Sequence, residues 1–192
     1  MRLVLASQSP RRRELLANLG YEYEVCPADI NETVDGDTES IYVPEILSRK
    51  KALHVLEKNP DAVVIGSDTV VICDGKILGK PESEEEAKLM LRLLSGKKHT
   101  VATGLCVCDK EKTRSLVSLT DVYFYELSDE LIDSYIKTGE PMDKAGAYGI
   151  QGAGSVLVKK IDGDYFTVMG LPVSQAARLL SEFGVFGKIS GF

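Results

Sequence analysis

The sequence predicts an α/β or α+β protein with a mixed sheet, folded as one domain over residues 1–192. Helix and strand patterns are interleaved along the chain, and no internal repeat is present. Two Asp-Gly pairs, Asp74–Gly75 and Asp162–Gly163, predict hairpin turns and therefore antiparallel strands. A chain of 192 residues with 44% hydrophobic residues is long enough to bury a sizeable core. We therefore expect one compact unit.

The first predicted elements are a strand at residues 3–6 and a helix that Pro10 opens and Gly20 closes. Three arginines, Arg11 to Arg13, occupy the first helical turn, where the helix dipole disfavours each cation by about 0.3–1 kcal/mol. A bound anion offsets that cost, because backbone N–H groups and guanidinium groups converge on phosphate-like oxygens. The alternative is solvated surface charge, which we expect for Arg13 because the three side chains cannot all face one ligand.

The following segments alternate between strand and helix patterns. Alternating hydrophobicity predicts a strand at residues 21–26, and a polar loop follows at 27–40. Helix formers predict a helix from Val43 to Lys58. An apolar run at residues 62–73 is interrupted at 66–69, which predicts a strand that breaks and then resumes.

The second half of the chain begins with a helix capped by Ser83, with Glu86 completing a capping box and Gly96 following its end. The remaining elements follow the same periodicities and are strands at 99–108 and 116–125, a helix after Ser128 that ends near Gly139, a hairpin around Asp162–Gly163, and a helix from Pro172 to Gly184. We expect the tail, residues 185–192, to fray.

Charge and composition disfavour several classes of partner. The formal net charge is −6, whereas nucleic acids and anionic membranes require a basic face. No apolar run reaches about 18 residues and no secretory signal is recognisable, so the expected location is the cytoplasm. We expect the four cysteines to be reduced, and we reject a zinc site because only His54 and His99 accompany them.

Asp68 is the first candidate for chemistry. It is an acid within an apolar strand pattern, where an unpaired carboxylate is costly to bury. A structural aspartate bonded to a turn backbone explains the same pattern equally well. Lys80 lies between a glycine and a proline, and alone it is a surface lysine. The helical run Arg49 to Lys51 can direct at most one or two of its cations to a common site.

A glycine-rich loop at residues 140–154 is suited to ligand binding, because glycines let the backbone approach while a few polar groups orient the ligand. Its polar residues include Asp143, Lys144, Tyr148 and Gln151, and a purely structural loop is the alternative. The P-loop and dinucleotide fingerprints are absent, and a Ser/His/Asp set is unconvincing. Separated cations and a strand-borne carboxylate suit a polyphosphate that is cleaved with the help of a divalent ion.

Five stretches, in this order, resemble the Maf nucleotide pyrophosphatases, also called septum formation proteins. They are LASQSPRR, SRKKA, IGSDTVV, LGKP and DKAGAYGIQG, and IDGDYFTVMGLP is a further match. The resemblance spans nearly the whole chain. It implies hydrolysis of nucleoside triphosphates to the monophosphate and pyrophosphate with a divalent cation. It also implies a homodimer of an elongated α/β fold, shared with inosine-triphosphate pyrophosphatases, with a central cleft between two lobes.

The same resemblance implies roles for individual residues. Asp68 matches the proton acceptor. The implied triphosphate-binding residues are Ser7, Arg11, Arg12, Lys51 and Lys80. The implied metal ligands, for Mg²⁺, Mn²⁺ or Co²⁺, are Glu32 and Asp68. Many members carry an acid where this chain has Asn31, and we expect the loss of that charge to lower metal affinity.

Arg11, Thr69 and Gln151 match the branch of the family that acts on dTTP and UTP. The Gln151 amide can pair with a pyrimidine edge as donor and acceptor at once. The expected function is dTTP and UTP hydrolysis, extended to modified pyrimidine triphosphates as a pool-cleaning activity. The alternatives are a nucleotide-binding regulator of cell division with incidental catalysis, and a pyrophosphatase of the same family for 7-methyl-GTP or purine triphosphates. The acidic charge disfavours a nucleic-acid-binding module.

Overall fold

The computed structural model describes residues 1–191, and all of its strands lie in one mixed sheet. The strands are β1 (Leu3–Leu5), β2 (Glu24–Val25), β3 (Val63–Cys73), β4 (Lys76–Leu78), β5 (Lys98–Cys108), β6 (Thr113–Phe124) and β7 (Val158–Asp162). Their order is β2-β1-β3-β5-β6-β7, and β4 pairs with β3 outside this path. Strand β1 is parallel to β2 and β3, whereas the other pairs are antiparallel. The predicted α/β class with a mixed sheet is confirmed.

Helices cover both faces of this sheet. The α-helices are α1 (Pro10–Asn18), α2 (Val43–Lys58), α3 (Glu84–Leu94), α4 (Asp129–Ile136), α5 (Tyr165–Met169) and α6 (Val173–Glu182). Short 3₁₀ helices span Glu140–Asp143, Ala145–Ala147 and Gly152–Leu157. None of the helices within residues 1–191 combines the length and the apolar character of a membrane span.

The long strands β3 and β5 contribute to hydrophobic clusters at both of their ends. At one end Ile65 packs in a cluster with Leu16 of α1 and with residues of α6. At the other end Val71 packs in a cluster with Leu91 of α3 and with residues of α4. On the opposite face, Ala52 of α2 lies in a third cluster with residues of β1, β3 and β5. The middle of β3 therefore lies between two lobes.

Strand β3 has an open edge in its middle. Its parallel pairing with β1 ends at Ile65, and its antiparallel pairing with β4 begins at Val71. Between these residues β3 is paired along its other edge, with β5, and no further strand of the described chain joins it. A cleft opens at this gap in the sheet, and side chains from both faces of β3 can approach it.

Two predicted features of the strands are wrong. The interruption at residues 66–69 does not exist, because these residues pair in register with β5 and β3 continues through them. The predicted hairpin at Asp162–Gly163 is absent, since β7 pairs with β6 and the chain then enters α5. Asp164 explains that choice, because its carboxylate accepts the backbone N–H groups of Phe166 and Thr167 and caps the helix.

The segment after α6 is ordered where fraying was expected. Val185 is buried, and its N–H donates to the Leu180 carbonyl oxygen. The Lys188 N–H donates to the Leu19 carbonyl oxygen over 2.9 Å, which ties the tail to the end of α1. The prediction of fraying is thus wrong for residues 185–188, and its last residue, Phe192, lies outside the described residues.

Candidate active site

A cleft of about 670 Å³ opens at the gap beside β3. Eight of the nine predicted site residues line it, namely Ser7, Arg11, Arg12, Glu32, Lys51, Thr69, Lys80 and Gln151. The ninth, Asp68, is 8% exposed and accepts a hydrogen bond from Lys51, which lines the cleft. Arg13, predicted to be solvated, is exposed. Residues from distant parts of the sequence therefore meet in one place.

Asp68 is paired with a cation that lines the cleft. Its Oδ1 accepts a 2.6 Å hydrogen bond from Lys51 Nζ, and the same nitrogen lies 2.8 Å from Glu32 Oε1. The side chains of Lys51 and Asp68 are largely buried, while that of Glu32 is exposed. This pairing contradicts the alternative in which Asp68 bonds to a turn backbone. It satisfies the requirement that a buried carboxylate has a partner.

Two glycines allow α2 to bring Lys51 to this position. A Cβ on Gly104, the cross-strand partner of Asp68, would overlap the Pro44 carbonyl group at the start of α2. A Cβ on Gly66 would lie 2.5 Å from the Ser48 carbonyl oxygen. Because real Cβ atoms do not approach backbone atoms so closely, only glycine lets the helix lie this near the sheet.

Arg12 is tied to three parts of the fold. Its Nε donates to the Gly170 carbonyl oxygen over 2.7 Å, Nη1 to Ser7 Oγ over 3.1 Å, and Nη2 to Thr69 Oγ1 over 3.0 Å. Burial lowers the pKa of Arg12, and the nearby charge of Asp68 opposes that shift. The guanidinium remains charged because its ordinary pKa lies far above neutrality. Arg12 therefore presents a fixed cation with hydrogens left for an anion.

The partner of Arg12 on β3 belongs to a chain of hydroxyl groups. Thr69 Oγ1 lies 2.9 Å from Thr103 Oγ1, which donates to the Thr167 carbonyl oxygen over 2.7 Å. Because the Thr103 hydrogen is used in that bond, Thr69 is the donor to Thr103 and the acceptor from Arg12. The only hydrogen of the Thr69 hydroxyl is thus used within the protein, and its oxygen orients Arg12.

Arg11 contacts the side of the cleft that the glycine-rich loop at residues 140–154 forms. Its Nη1 lies 3.9 Å from Asp143 Oδ2, and Asp143 Oδ1 accepts a 2.6 Å hydrogen bond from Lys144 Nζ. Burial raises the pKa of Asp143, but the hydrogen bond and charge of Lys144 and the charge of Arg11 outweigh it, so the pKa falls below its ordinary value. The carboxylate therefore stays ionised, and the loose Arg11 contact is easily exchanged for a ligand.

Lys80 and Gln151 are the side chains that remain available. Both are exposed and line the cleft, and neither side chain makes a hydrogen bond or ion pair with any residue of the described 191. An ammonium group and a primary amide without protein partners can bind an anion and a base edge, respectively. The structure thus leaves two of the groups expected to contact a ligand unpaired.

A buried cluster of three rings, His99, Phe124 and Tyr148, packs against the cleft. Tyr148 lines the cleft, and its hydroxyl lies 2.8 Å from His99 Nε2, while Phe124 packs edge-on against both rings. Burial lowers the pKa of His99 to about 4 and raises that of Tyr148. Both side chains are therefore uncharged at neutral pH, as their apolar surroundings require.

Sequence patterns did not predict a site role for several residues whose hydrogen bonds hold the cleft in shape. They are Ser67, His99, Thr103, Glu140 and Gly170. Thr103 shares the signal that singled out Asp68, because it is a polar residue within an apolar strand. Gly170 has a left-handed backbone, with φ of +99°, and its carbonyl oxygen accepts from both Arg12 and Ser67. No local sequence pattern indicates such a bond.

Glu32 and Asp68 are the carboxylates that could hold a divalent cation. Their oxygens flank one position, which the Lys51 ammonium occupies. No cluster of three or more His, Cys, Asp or Glu side chains suited to a metal occurs in residues 1–191. Two carboxylates nevertheless fit Mg²⁺ or Mn²⁺, because such ions take substrate phosphates and water as their remaining ligands.

Comparisons with known proteins agree with this arrangement. A family model described as Maf-like protein matches residues 2–183. The chain is 48% identical over 183 residues to the dTTP/UTP pyrophosphatase of Bacillus pumilus (strain SAFR-032), an alignment that covers 95% of this chain and 97% of that protein. It is 46% identical over 184 residues to the dTTP/UTP pyrophosphatase of Bacillus cereus (strain AH820), covering 96% of both.

A solved structure shares the fold at low sequence identity. The HAM1 protein of Coxiella burnetii superimposes with a TM-score of 0.52 and 16% identity, covering 95% of this chain and 99% of that chain. The likeness concerns the mixed sheet and its helices.

Proposed function

This chain belongs to the Maf family, and on that premise we propose that it hydrolyses dTTP and UTP to the monophosphate and pyrophosphate. One observation carries the proposal. A buried carboxylate, Asp68, is held against Lys51 at the base of a cleft whose walls present separate cations. A carboxylate beside several cations is suited to activating water next to a polyphosphate.

The triphosphate would lie across the cations of the cleft. Arg12 is fixed by its protein partners, whereas Lys80 has none among residues 1–191 and can turn to a phosphate. Ser7 Oγ accepts from Arg12 and from the Ser9 N–H, so its own hydrogen is free to donate to a phosphate oxygen. Arg11 would exchange its loose contact with Asp143 for the ligand. These contacts neutralise negative charge where the bond breaks.

Asp68 would act as the general base. Its Oδ1 is bound to Lys51, and its Oδ2 makes no hydrogen bond within the described residues. A water molecule loses a proton to that carboxylate as its oxygen bonds to phosphorus, the bond to the oxygen between the α- and β-phosphorus atoms breaks, and pyrophosphate departs. Before a cation binds, Lys51 lies between Asp68 and Glu32 and would hold both carboxylates in position.

A divalent cation, Mg²⁺, Mn²⁺ or Co²⁺, fits this chemistry, and Glu32 and Asp68 would hold it. When bound, the ion neutralises phosphate charge and draws electrons from phosphorus. Asn31 contributes no carboxylate, and its side-chain oxygen accepts from the Thr33 N–H and hydroxyl. Asn31 would therefore stabilise the turn that carries Glu32, and we expect the missing charge to weaken metal binding.

Selection of the base would depend on Gln151. Its amide can accept from N3–H of uracil or thymine while it donates to the adjacent carbonyl oxygen. Thr69, the other residue that matches the dTTP and UTP branch, would act indirectly, because its hydroxyl hydrogen is donated to Thr103 and its oxygen holds Arg12. The same base edge occurs in many modified pyrimidines, which extends the proposal to those triphosphates.

We further propose a homodimer that acts in the cytoplasm, where free nucleotides are found. Light scattering on the purified protein tests the first statement, with twice the 21.0 kDa mass of one chain as the expected result. A mass of one chain would contradict it. Fractionation of cells that express the protein tests the second, and recovery with the membrane or secreted fraction would contradict it.

The direct test of the proposed function is pyrophosphate release from a panel of triphosphates. The panel holds dTTP, UTP, CTP, GTP, ITP and 7-methyl-GTP, each assayed with Mg²⁺ or Mn²⁺ and with chelator. We expect turnover of roughly 1–1000 per second, led by dTTP and UTP and lost with chelator. Preference for a purine triphosphate would contradict the substrate assignment. Tight binding with negligible turnover would indicate a regulator instead.

A further inference from the structure

We propose that Glu140 is a positioning residue for base selection, because its carboxylate holds the loop that carries Gln151. This inference rests on the proposed function and names a residue that determines its specificity. Glu140 opens the 3₁₀ helix Glu140–Asp143 and lines the same cleft as Gln151. It contacts neither Asp68 nor Lys51, so its effect on the reaction must pass through the loop it binds.

Glu140 binds the loop by its backbone. Its Oε1 accepts the Ala153 N–H over 3.1 Å, and its Oε2 accepts the Gly154 N–H over 3.2 Å. Ala153 and Gly154 are the second and third residues of the 3₁₀ helix Gly152–Leu157, and Gln151 immediately precedes this helix. Hydrogen bonds from neutral donors to a carboxylate are stronger than those between neutral groups. One side chain therefore fixes the backbone directly after Gln151.

Gly152 makes this close contact possible. A Cβ at this position would overlap Glu140 Oε1, and the backbone φ of +65° lies in the left-handed region that glycine adopts without strain. A side chain at residue 152 would therefore push the Glu140 carboxylate away from the loop. Because Gly152 has no side chain, the Glu140 carboxylate can reach the loop directly after Gln151.

The other end of the loop is held by Tyr135, which also interacts with the Glu140 carboxylate. The Gly149 N–H donates to the Tyr135 hydroxyl over 3.0 Å. A Cβ on Gly154 would overlap the Gly149 carbonyl oxygen and lie 2.6 Å from the Tyr135 hydroxyl, so the two ends of the loop are in contact. Gln151 thus lies at the tip of a closed loop whose two ends are bound by Tyr135 and Glu140.

Glu140 is itself anchored. Its N–H donates to Thr138 Oγ1 over 3.1 Å, and its carbonyl oxygen accepts from Lys144 Nζ over 2.6 Å. The anchored residue is a stable reference for the loop, whereas the Gln151 side chain has no partner of its own in the described chain. The reach of the amide toward a base is therefore set by the backbone that Glu140 holds. If that backbone loosens, the amide adapts to cytosine as readily as to uracil.

The test compares UTP with CTP in a double-mutant cycle. The variants are Glu140→Gln, Gln151→Ala and the double variant, with Glu57→Gln as a control because Glu57 is exposed and does not line the cleft. In Glu140→Gln one oxygen remains as an acceptor, while the amide nitrogen faces the second N–H as another donor. We expect the UTP to CTP ratio of kcat/KM to fall about tenfold, from the loss of a hydrogen bond to a charged group.

The cycle distinguishes positioning from a general structural effect. If Glu140 acts through Gln151, Gln151→Ala lowers the ratio by a similar factor and the double variant lowers it no further. Equal losses with UTP and CTP in Glu140→Gln, or losses in the ratio that multiply in the double variant, would overturn the proposal. Glu140→Asp, which keeps the charge but shortens the side chain, must lower the ratio too, and it serves if Glu140→Gln folds poorly.

Failure of the proposed function gives a different result. A wild-type protein that does not turn over UTP, or does not prefer it to CTP, would contradict the substrate assignment on which this inference rests. A wild-type preference that Gln151→Ala abolishes and Glu140→Gln leaves intact contradicts the role of Glu140 alone.

Discussion

The floor and the wall of the cleft are built in different ways. We define the floor as Arg12, Lys51, Asp68 and Thr69, and the wall as residues 140–154. Floor side chains are bound to each other, to the hydroxyls of Ser7 and Thr103, or to the backbone by hydrogen bonds of 2.6–3.1 Å. On the wall, protein bonds hold the backbone, and the side chain at its tip, Gln151, is left without a partner in residues 1–191.

This difference matches the task proposed for each region. Chemistry at phosphorus needs charges whose positions do not change when substrate arrives, so preorganised floor groups lower the reorganisation cost. Recognition of a base needs donors and acceptors that are unsatisfied before binding. We therefore expect changes in the floor to alter rate or stability for every substrate, and changes in the wall to alter the choice among substrates.

The largest expected effect comes from removing the proposed general base, Asp68, from the floor. Asp68→Asn keeps the shape of the side chain but cannot accept the proton, and we expect kcat for dTTP to fall about 100- to 10,000-fold. Steady-state pyrophosphate release measures this loss. Circular dichroism must show that the variant is folded. Full activity in Asp68→Asn would remove the residue from the mechanism.

A second effect concerns the support of the wall at His99, whose pKa burial lowers to about 4. In the unfolded chain its pKa is near 6.5, so between pH 6.5 and pH 4 the unfolded state binds more protons. The free energy of unfolding must therefore decrease as pH falls through this range, by about 3 kcal/mol for this residue. Urea unfolding at several pH values measures the decrease.

The matched variant for that experiment is His99→Gln, which keeps a polar partner for the Tyr148 hydroxyl without a titrating group. We expect its unfolding free energy to depend less steeply on pH between about 6.5 and 4. An identical pH dependence in the variant and the wild type would show that His99 is not the residue responsible.

Packing beneath the floor has a smaller expected effect. Gly104→Ala places a methyl group against the Pro44 carbonyl and should push α2, and with it Lys51, away from Asp68. We expect a loss of about 1–3 kcal/mol in unfolding free energy, measured by urea denaturation, and lower activity with dTTP and UTP alike. Gly36→Ala is the control, because a Cβ there meets no atom within 4 Å. Equal stability of both variants would contradict the close-approach argument.

Neighbouring arginines provide the smallest and most selective comparison. Arg12→Lys loses the planar group that reaches three acceptors, and we expect about a tenfold lower kcat/KM for UTP. Arg13→Lys alters an exposed side chain and should leave kcat/KM unchanged. Similar losses in both variants would indicate a general charge effect and would contradict the assigned geometry of Arg12.

Local sequence patterns predict the helices that border the cleft better than the strand β3 that runs beneath it. The helix Val43–Lys58 is observed with its predicted bounds, and α1 begins at Pro10 as predicted, with Arg11 and Arg12 lining the cleft. The break predicted in β3 is wrong because polar residues can continue a strand when a neighbouring strand pairs with them and other elements bind their side chains. Local patterns do not contain that information.

Hydrogen bonds between residues far apart in the chain explain why the contacts within the cleft could not be predicted from the sequence. Arg12 and Thr69 are 57 residues apart and lie on different elements, so their hydrogen bond depends on the order of strands in the sheet. The bonds from Ala153 and Gly154 to Glu140 depend on a turn geometry that the glycines allow but do not specify. Resemblance to a family identified the residues of the floor, and the folded chain supplies the contacts that position them.

The most direct test of the division between floor and wall is the binding of UTP and CTP to Asp68→Asn and Gln151→Ala, measured by isothermal titration calorimetry with chelator, where we expect no turnover. We expect Asp68→Asn to bind UTP more tightly than CTP. We expect Gln151→Ala to bind both nucleotides with similar affinity. Loss of the UTP preference in Asp68→Asn, or its retention in Gln151→Ala, would contradict the account.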